Sequence, residues 1–401
     1  MPPTLNSAMR RNLLLLATCQ ALGNSGNVLM FTATALSIVT FYPNRDLATL
    51  PITLQHLGVM LAVFPAGLLM QRFGRRLGFR VGSVFGMAGA SVVGLGLLNA
   101  SFITMCLGGL LLGYAVASLQ MYRFAAVELV PPAYRARAIS WVTAGGVAAG
   151  VVGPALVRWT HDQWVPLYLG SFAAMVVLHI ISFTVMSFIR FPPMQEATLA
   201  GAVAPEPPRP LLEIACQPRF VVAVIAGMMA SGIMSFVMSA SPLAIVACGL
   251  PHTEAQLVVL MHVLGMFVPS FFTGNLITRF GTMRVMVAGI VLLLVGVAAA
   301  LGGLAEWNFR IALTLNGVGW NFLFVGATTM VTSCYRPNER GKAQAMNDFL
   351  VFGTTATASF LAGFAQERLG WEALNWLAIA LPVAAALALG WLASRPRPVA
   401  A

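Results

Sequence analysis

Apolar residues run along this chain in stretches of about twenty, each closed by an arginine cluster or a Pro/Gly turn. The stretches begin near residues 12, 50, 79, 102, 138, 166, 219, 254, 283, 308, 343 and 374. A helix rises about 1.5 Å per residue, so each is long enough to cross the hydrocarbon core of a bilayer. The pattern predicts an all-α membrane protein of about twelve transmembrane helices. The apolar run Leu13–Ala17 after Arg10-Arg11 resembles a signal peptide, but it continues into a full-length span and is read as the first helix, uncleaved. Between the sixth and seventh spans the pattern breaks. Residues 191–218 are too polar and proline-rich to span or pack, and are expected to form a cytoplasmic linker. The expected organisation is a six-helix bundle over 1–190, the linker, and a second six-helix bundle over 219–401.

Composition agrees with the pattern. The chain is 59% hydrophobic and 9% charged, with a mean hydropathy of +0.84. Far more charge is needed to cover a soluble domain of this size, so a polytopic membrane protein in contact with lipid is expected, and not an enzyme. The net charge of +11 could suggest a nucleic-acid partner, but its distribution argues against one. With the N-terminus inside, eighteen Arg and Lys residues fall in the loops and termini of one side, and only Arg45, Arg158, Arg310 and Arg368 on the other. That bias sets topology, with both termini expected in the cytoplasm of a cell whose inner membrane the protein crosses. Five cysteines (Cys19, Cys106, Cys216, Cys248, Cys334) are dispersed and make no disulfide framework.

The two halves repeat. Ser25-Gly26 matches Ser231-Gly232, His56 and Met60 match His262 and Met266, and Gly113-Tyr114 matches Gly319-Trp320, each 206 residues apart. After the second span comes Gly67 through Gln71-Arg72-Phe73-Gly74 to Arg75-Arg76. After the eighth comes Gly274 through Thr278-Arg279-Phe280-Gly281, at an offset of 207. Arg135-Ala136-Arg137-Ala138 pairs with Arg340-Gly341-Lys342-Ala343 at 205. A parallel duplication of six helices is written into the chain.

With these loops the chain resembles the major facilitator superfamily, over all twelve spans. The family's signature between the second and third helices is G-x-x-x-D-R-x-G-R-R, and here Gln71 replaces its acidic residue. Gly145–Pro154 resembles the glycine–proline motif of the fifth helix. The resemblance implies gating roles for Gly67, Arg72, Gly74, Arg75, Arg76, Arg279 and Gly281. Such motifs identify the fold and not the cargo.

Polar residues at mid-depth are candidates for cargo contact: Gln20, Asn24, Asn27, Gln55, His56, His179, His262, Asn316 and Asn321. Arg123 and Glu128, near the end of the fourth span, are assigned to the gate. The carboxylates fall in loops or near helix ends, which disfavours an antiporter run by a central Asp or Glu. On the seventh span Met234 and Met238, and on the eighth His262 and Met266, are each spaced i, i+4. Counted from the turn at Gly249–His252, Met238 and His262 both lie roughly 12–14 Å deep, and Met234 and Met266 roughly 18–20 Å. A single methionine more often fills a gap between moving helices. Two such pairs at matched depth suit a soft ion such as Cu(I), if the helices are neighbours. His56 and Met60 form a possible second site.

The two pairs together resemble the signature of the CcoA-type bacterial copper importers. The resemblance implies that Met234, Met238, His262 and Met266 ligate copper carried inward for cytochrome oxidase assembly; no resident cofactor and a monomer are expected. Asn24, Asn27 and Asn321 could then supply dipoles. The rival expectation is a transporter of a small aromatic or flavin-like solute, with Tyr114, Trp320 and the asparagines lining its pocket. A non-transporting sensor or assembly factor on the same fold is a third.

Overall fold

The computed structural model of the chain describes residues 6–131, 134, 138, 141–142, 145–191, 207–336 and 339–395. Among them the regular structure is helical, with no strand. The first half comprises α1 (Ser7–Ile38), α2 (Leu50–Phe73), α3 (Arg75–Leu98), α4 (Phe102–Gln120), α5 (Tyr122–Glu128), α6 (Gly145–Thr160) and α7 (Leu169–Ser187). The short α8 (Leu211–Ala215) leads into the second half. That half comprises α9 (Pro218–Ala247), α10 (His252–Phe267), α11 (Ser270–Phe280), α12 (Thr282–Leu301), α13 (Glu306–Thr332), α14 (Arg340–Ala378) and α15 (Ala380–Ala393).

Nine helical segments among the described residues are long and apolar enough to cross a membrane, and the bent pair α10–α11 makes a tenth. One of the nine, Lys342–Ala393, runs through Gly370, whose backbone (φ 79, ψ 175) is not helical, so it holds two spans. The 16 residues of α6 supply the remaining one of the twelve expected. Large apolar side chains such as Leu61, Ile103, Leu107, Val291 and Leu387 are exposed on the outside. On a soluble protein that surface would aggregate; against acyl chains it is the compatible one.

Local chemistry sets where the helices stop. Asn6 caps α1 by accepting from the Met9 amide at 2.8 Å. Gly74 (φ 88, ψ 158) and Gly281 (φ 88, ψ 150) turn the chain between α2 and α3 and between α11 and α12. A residue with a Cβ is strained at that φ, so the two matched loop glycines are required by backbone geometry. Inside each half, small residues let helices touch backbone to backbone, as expected where lipid supplies no hydrophobic drive between helices. A Cβ added to Gly89 would sit 3.0 Å from the Gly108 carbonyl oxygen, and one added to Gly296 3.1 Å from that of Ala312. The α3–α4 crossing is thus repeated as α12–α13.

The linker expectation needs correction at its end. Residues 192–206 lie outside the described residues, but Ile214 of α8 is buried and Arg209 pairs with the buried Glu339 at 2.7 Å. Arg209 donates through both its backbone amide and its guanidinium, which holds the Glu339 carboxyl well below the usual carboxylate range. The proline-rich run therefore ends in a packed anchor.

Candidate functional site

The two halves meet along a seam in which α2 packs on α14 and α6 packs on α10. At the Arg-poor end the seam is tied across the halves. Arg368 donates to both carboxylate oxygens of Asp46, with contacts of 2.6–3.0 Å. The Thr49 hydroxyl donates to the Ser359 carbonyl at 2.8 Å, and Tyr168 Oη and His252 Nδ1 share a hydrogen bond of 2.7 Å. The Arg368 guanidinium is held charged beyond its ordinary range by Asp46. At the Arg-rich end, Arg75 pairs with Glu128 at 2.7 Å within the first half, and Arg209 pairs with Glu339 of the second half. Across the seam there, Arg123 lies close enough to attract the Asp348 carboxylate. Among the described residues, cross-half hydrogen bonds tie the Arg-poor end of the seam.

The residues to which the resemblance assigns gating stand at or before the turns that follow α2 and α11. Arg75 reaches Glu128, Arg76 donates to the Ser187 carbonyl, and Arg72 and Arg279 each lie over the following ring, Phe73 at 5.4 Å and Phe280 at 5.3 Å. Gly67 has ordinary space, with Met121 3.6 Å from an added Cβ. Arg135 and Arg137 lie outside the described residues.

The mid-depth polar residues divide into spent and unspent groups. Asn321 is spent. Its amide donates to the Met266 carbonyl at 2.7 Å and to Ser270 at 2.6 Å, and its oxygen accepts from Thr273 at 2.6 Å. It brackets the break at Pro269 between α10 and α11, which corrects the expectation that it supplies a dipole to an ion. Unspent buried atoms are Asn24 Nδ2, Gln55 Oε1, His56 Nδ1, His262 Nε2, Asn316 Oδ1 and Trp320 Nε1. A buried polar atom without a partner is costly, and several together point to a ligand or water that completes them. Trp320 stacks on Phe324 with centroids 4.8 Å apart, and Tyr114 on Phe85 at 4.3 Å.

The soft quartet is only partly assembled. Met238 and His262 are buried and Met234 and Met266 half-buried. The condition attached to the copper reading, that the two helices be neighbours, is weakly met. α9 packs chiefly on α14 and α13, and α10 on α13 and α6, with little between α9 and α10 themselves. His262 turns to α13: its Nδ1 lies 2.9 Å from the Leu313 carbonyl, which can only accept, so Nδ1 carries the proton. His56 has diverged from its repeat partner and sits against the Phe31 ring, centroids 5.6 Å apart. Met60 meets α14 across the seam, its sulfur 3.4 Å from an added Cβ at Gly353. Among the described residues no three His, Cys, Asp or Glu side chains group to hold a metal ion.

Sequence reasoning missed the Asp46–Arg368 and Tyr168–His252 ties, because all four residues read as loop or end positions. Yet Asp46 and His252 stand 206 residues apart, the offset of the repeat, each at the start of the second span of its half, so the two ties are related by the duplication and that spacing was the available signal.

Known proteins bear on these observations. The Riboflavin transporter RfnT of Brucella anthropi is 43% identical over 92% of this chain and 93% of its own length. An uncharacterized MFS-type transporter of Bacillus subtilis, YddS, is 28% identical over 93% of this chain and 89% of its own length. Among solved structures, an auto-inhibited POT family peptide transporter superposes with a TM-score of 0.69 at 15% identity, covering 97% of this chain and 98% of its own. A bacterial homologue of the iron transporter ferroportin, outward-facing, does so at 0.66 and 16%, covering 96% and 100%. These two likenesses speak for the fold alone. The relative at 43% identity is a riboflavin transporter and not a CcoA-type copper importer, so the finer resemblance drawn from the methionine and histidine pairs is not upheld. The sequence model of the Major Facilitator Superfamily matches residues 13–251 and 223–401, and with the duplicated helical halves it settles the family: the chain is a membrane transporter belonging to the Major Facilitator Superfamily.

Proposed function

We propose that the protein carries riboflavin or a closely related flavin-like solute across the inner membrane by alternating access of its two halves. The observation that carries this reading is the 43% identity to a riboflavin transporter over nearly the whole of both chains. The site chemistry is compatible. A planar, hydrogen-bonding ring system suits aromatic faces such as Tyr114 and Trp320 together with unspent donors such as Trp320 Nε1 and Asn24 Nδ2. The charge bias assigns the Arg-rich end to the cytoplasm, so the end tied by Asp46–Arg368 and Tyr168–His252 faces outward.

The test is uptake of radiolabelled riboflavin by riboflavin-requiring cells. Wild-type protein should support it, and Trp320→Ala should lower it by about tenfold or more, the scale of one lost aromatic stack with its hydrogen bond. No uptake by well-expressed wild-type protein refutes the proposal.

Copper remains a second reading on one observation. His262 donates through Nδ1 to a carbonyl and leaves Nε2 buried and unpartnered, the disposition of a metal-ligating imidazole. Whole-cell copper content that rises with expression and falls in His262→Ala would favour it. The relatives lend no support to a link with cytochrome oxidase assembly.

A further inference from the structure

Inside the first half lies a cavity of about 20 Å³ lined by Asn27, Gln55, Ser83, Tyr122, His179, Ser182 and several glycines. That is room for about one water molecule, and the lining is polar enough to hold it. His179 is 7% exposed. Its ring is slotted between two helices by the absence of side chains: an added Cβ would lie 2.3 Å from Nδ1 at Gly86 and 3.4 Å from Nε2 at Gly26. The ring makes no hydrogen bond to any described residue. Gln55 donates to Asn27 at 3.0 Å, yet its own Oε1 is buried without a partner.

Such a site needs a reason to persist. A polar cavity with an unpartnered imidazole is expensive at mid-depth in a membrane protein. The other mid-depth histidines are differently placed: His262 is bonded to Leu313 and His56 lies against Phe31. The carboxylates among the described residues stand toward helix ends. Of the mid-depth histidines, His179 is the one that lines this cavity.

We propose that His179 and a water in this cavity form a proton-binding site, which couples movement of the cargo to movement of a proton. The step is the addition of a proton from bulk water to the free ring nitrogen on one side, and its return to water on the other. No other bond forms or breaks. Facing groups are consistent with a transient charge. From α1 comes Cys19, whose thiol points at the Ser182 carbonyl at 3.6 Å, and from α5 comes Tyr122. From α3 comes Arg80, held over the Phe183 ring at 4.5 Å and so on the Arg-rich side. α6 brings only Arg158 in its last turn, α2 brings His56, and α4 brings Cys106. No described carboxylate stands beside the ring, so an imidazolium there has no counter-charge and is poorly suited to be permanent.

The proposal rests on the riboflavin reading for its cargo alone. In proteoliposomes, one proton per cargo under a gradient of about one pH unit supports about tenfold accumulation. Wild-type protein should reach that and His179→Gln should fall to equilibration, while riboflavin counterflow without a gradient stays within about twofold. Undiminished uphill accumulation by His179→Gln overturns the proposal. So does a wild-type protein that accumulates nothing under the gradient yet performs counterflow. A second readout needs no cargo and survives failure of the riboflavin reading. In ¹⁵N-histidine spectra, the resonance missing from His179→Gln should pass from neutral to imidazolium on acidification. If that variant does not fold, replacing the other four histidines one at a time assigns the signal by elimination. A His179 signal that stays neutral down to the acid limit of the folded protein refutes the proposal whatever is transported.

Discussion

The two halves of this transporter were built to one plan, and they differ most where a plan is not needed for folding. Gly74 and Gly281 hold the same positive-φ turn, and the close approach of Gly58 to Gly113 is answered by that of Gly265 to Gly317. These are backbone contacts, where any side chain intrudes, so duplication has left them alike. The interior polar residues have gone separate ways. His56 rests on an aromatic ring while His262 is tied to a carbonyl, and the first half encloses a polar cavity around His179. The second half spends Asn321 on bracing a broken helix. Packing is thus the conservative part of the repeat, and chemistry the divergent part.

The hardest blow to that comparison strikes the shared packing. A Cβ at Gly113 would lie 2.5 Å from the Gln55 carbonyl oxygen, and one at Gly317 2.3 Å from that of His262. Gly113→Val and Gly317→Val should each cost more than about 3 kcal/mol, because backbone cannot retreat as a flexible side chain can. The yield of monodisperse protein after detergent extraction measures it. Gly390→Ala, with nothing within 4 Å of the added atom, is the control and should extract like wild type. If one half tolerates its valine and the other does not, the packing is less shared than the contacts indicate.

A milder change probes the seam rather than either half. Asp46 and Arg368 join the halves at the Arg-poor end, but Arg368 is 62% exposed, and an exposed pair is worth little in water. Asp46→Asn should therefore shift the balance toward the form open at that end by no more than about fivefold. Accessibility of a cysteine introduced at Thr53, read with a membrane-impermeant thiol reagent on a background lacking the native cysteines, reports it. Thr49 and Tyr168 should keep the end partly closed. An unchanged labelling rate would mean that these neutral ties, and not the charges, seal the seam.

How much of this was legible in the sequence follows from the same division. Apolar runs and loop glycines are local, so the helices, the repeat and the turns at Gly74 and Gly281 could be read from the chain. The proline-rich stretch misled at its end, since the pairing of Arg209 with Glu339 spans 130 residues and leaves no local mark. The depth count placed Met238 level with His262 along their axes, but it could not say which neighbour each helix faces. α10 turned out to face α13 and α6 more than α9. Rotation about a helix axis is set by packing against unlike helices, and that is why the soft quartet looked more convergent on paper than it is in the fold. His179 was visible as a polar residue at depth; the glycines that make room beside it belong to other helices.

The smallest expected effect concerns the feature that the repeat explains least. Met234 and Met238 stand where the first half has Val28 and Thr32, so they are not inherited packing. Two accounts remain. If the thioethers fill space beside α13 and α14, leucine serves nearly as well, because a volume-conserving swap in a core costs less than about 1.5 kcal/mol. Under that account Met234→Leu/Met238→Leu, alone or with Met266→Leu, should leave riboflavin uptake within about twofold of wild type. It should leave cell copper unchanged as well. If sulfur ligation is their purpose, leucine removes it completely while preserving volume, and copper content falls although the protein folds and extracts normally. Leucine is the discriminating choice for that reason: alanine would open a cavity in both accounts and would separate neither.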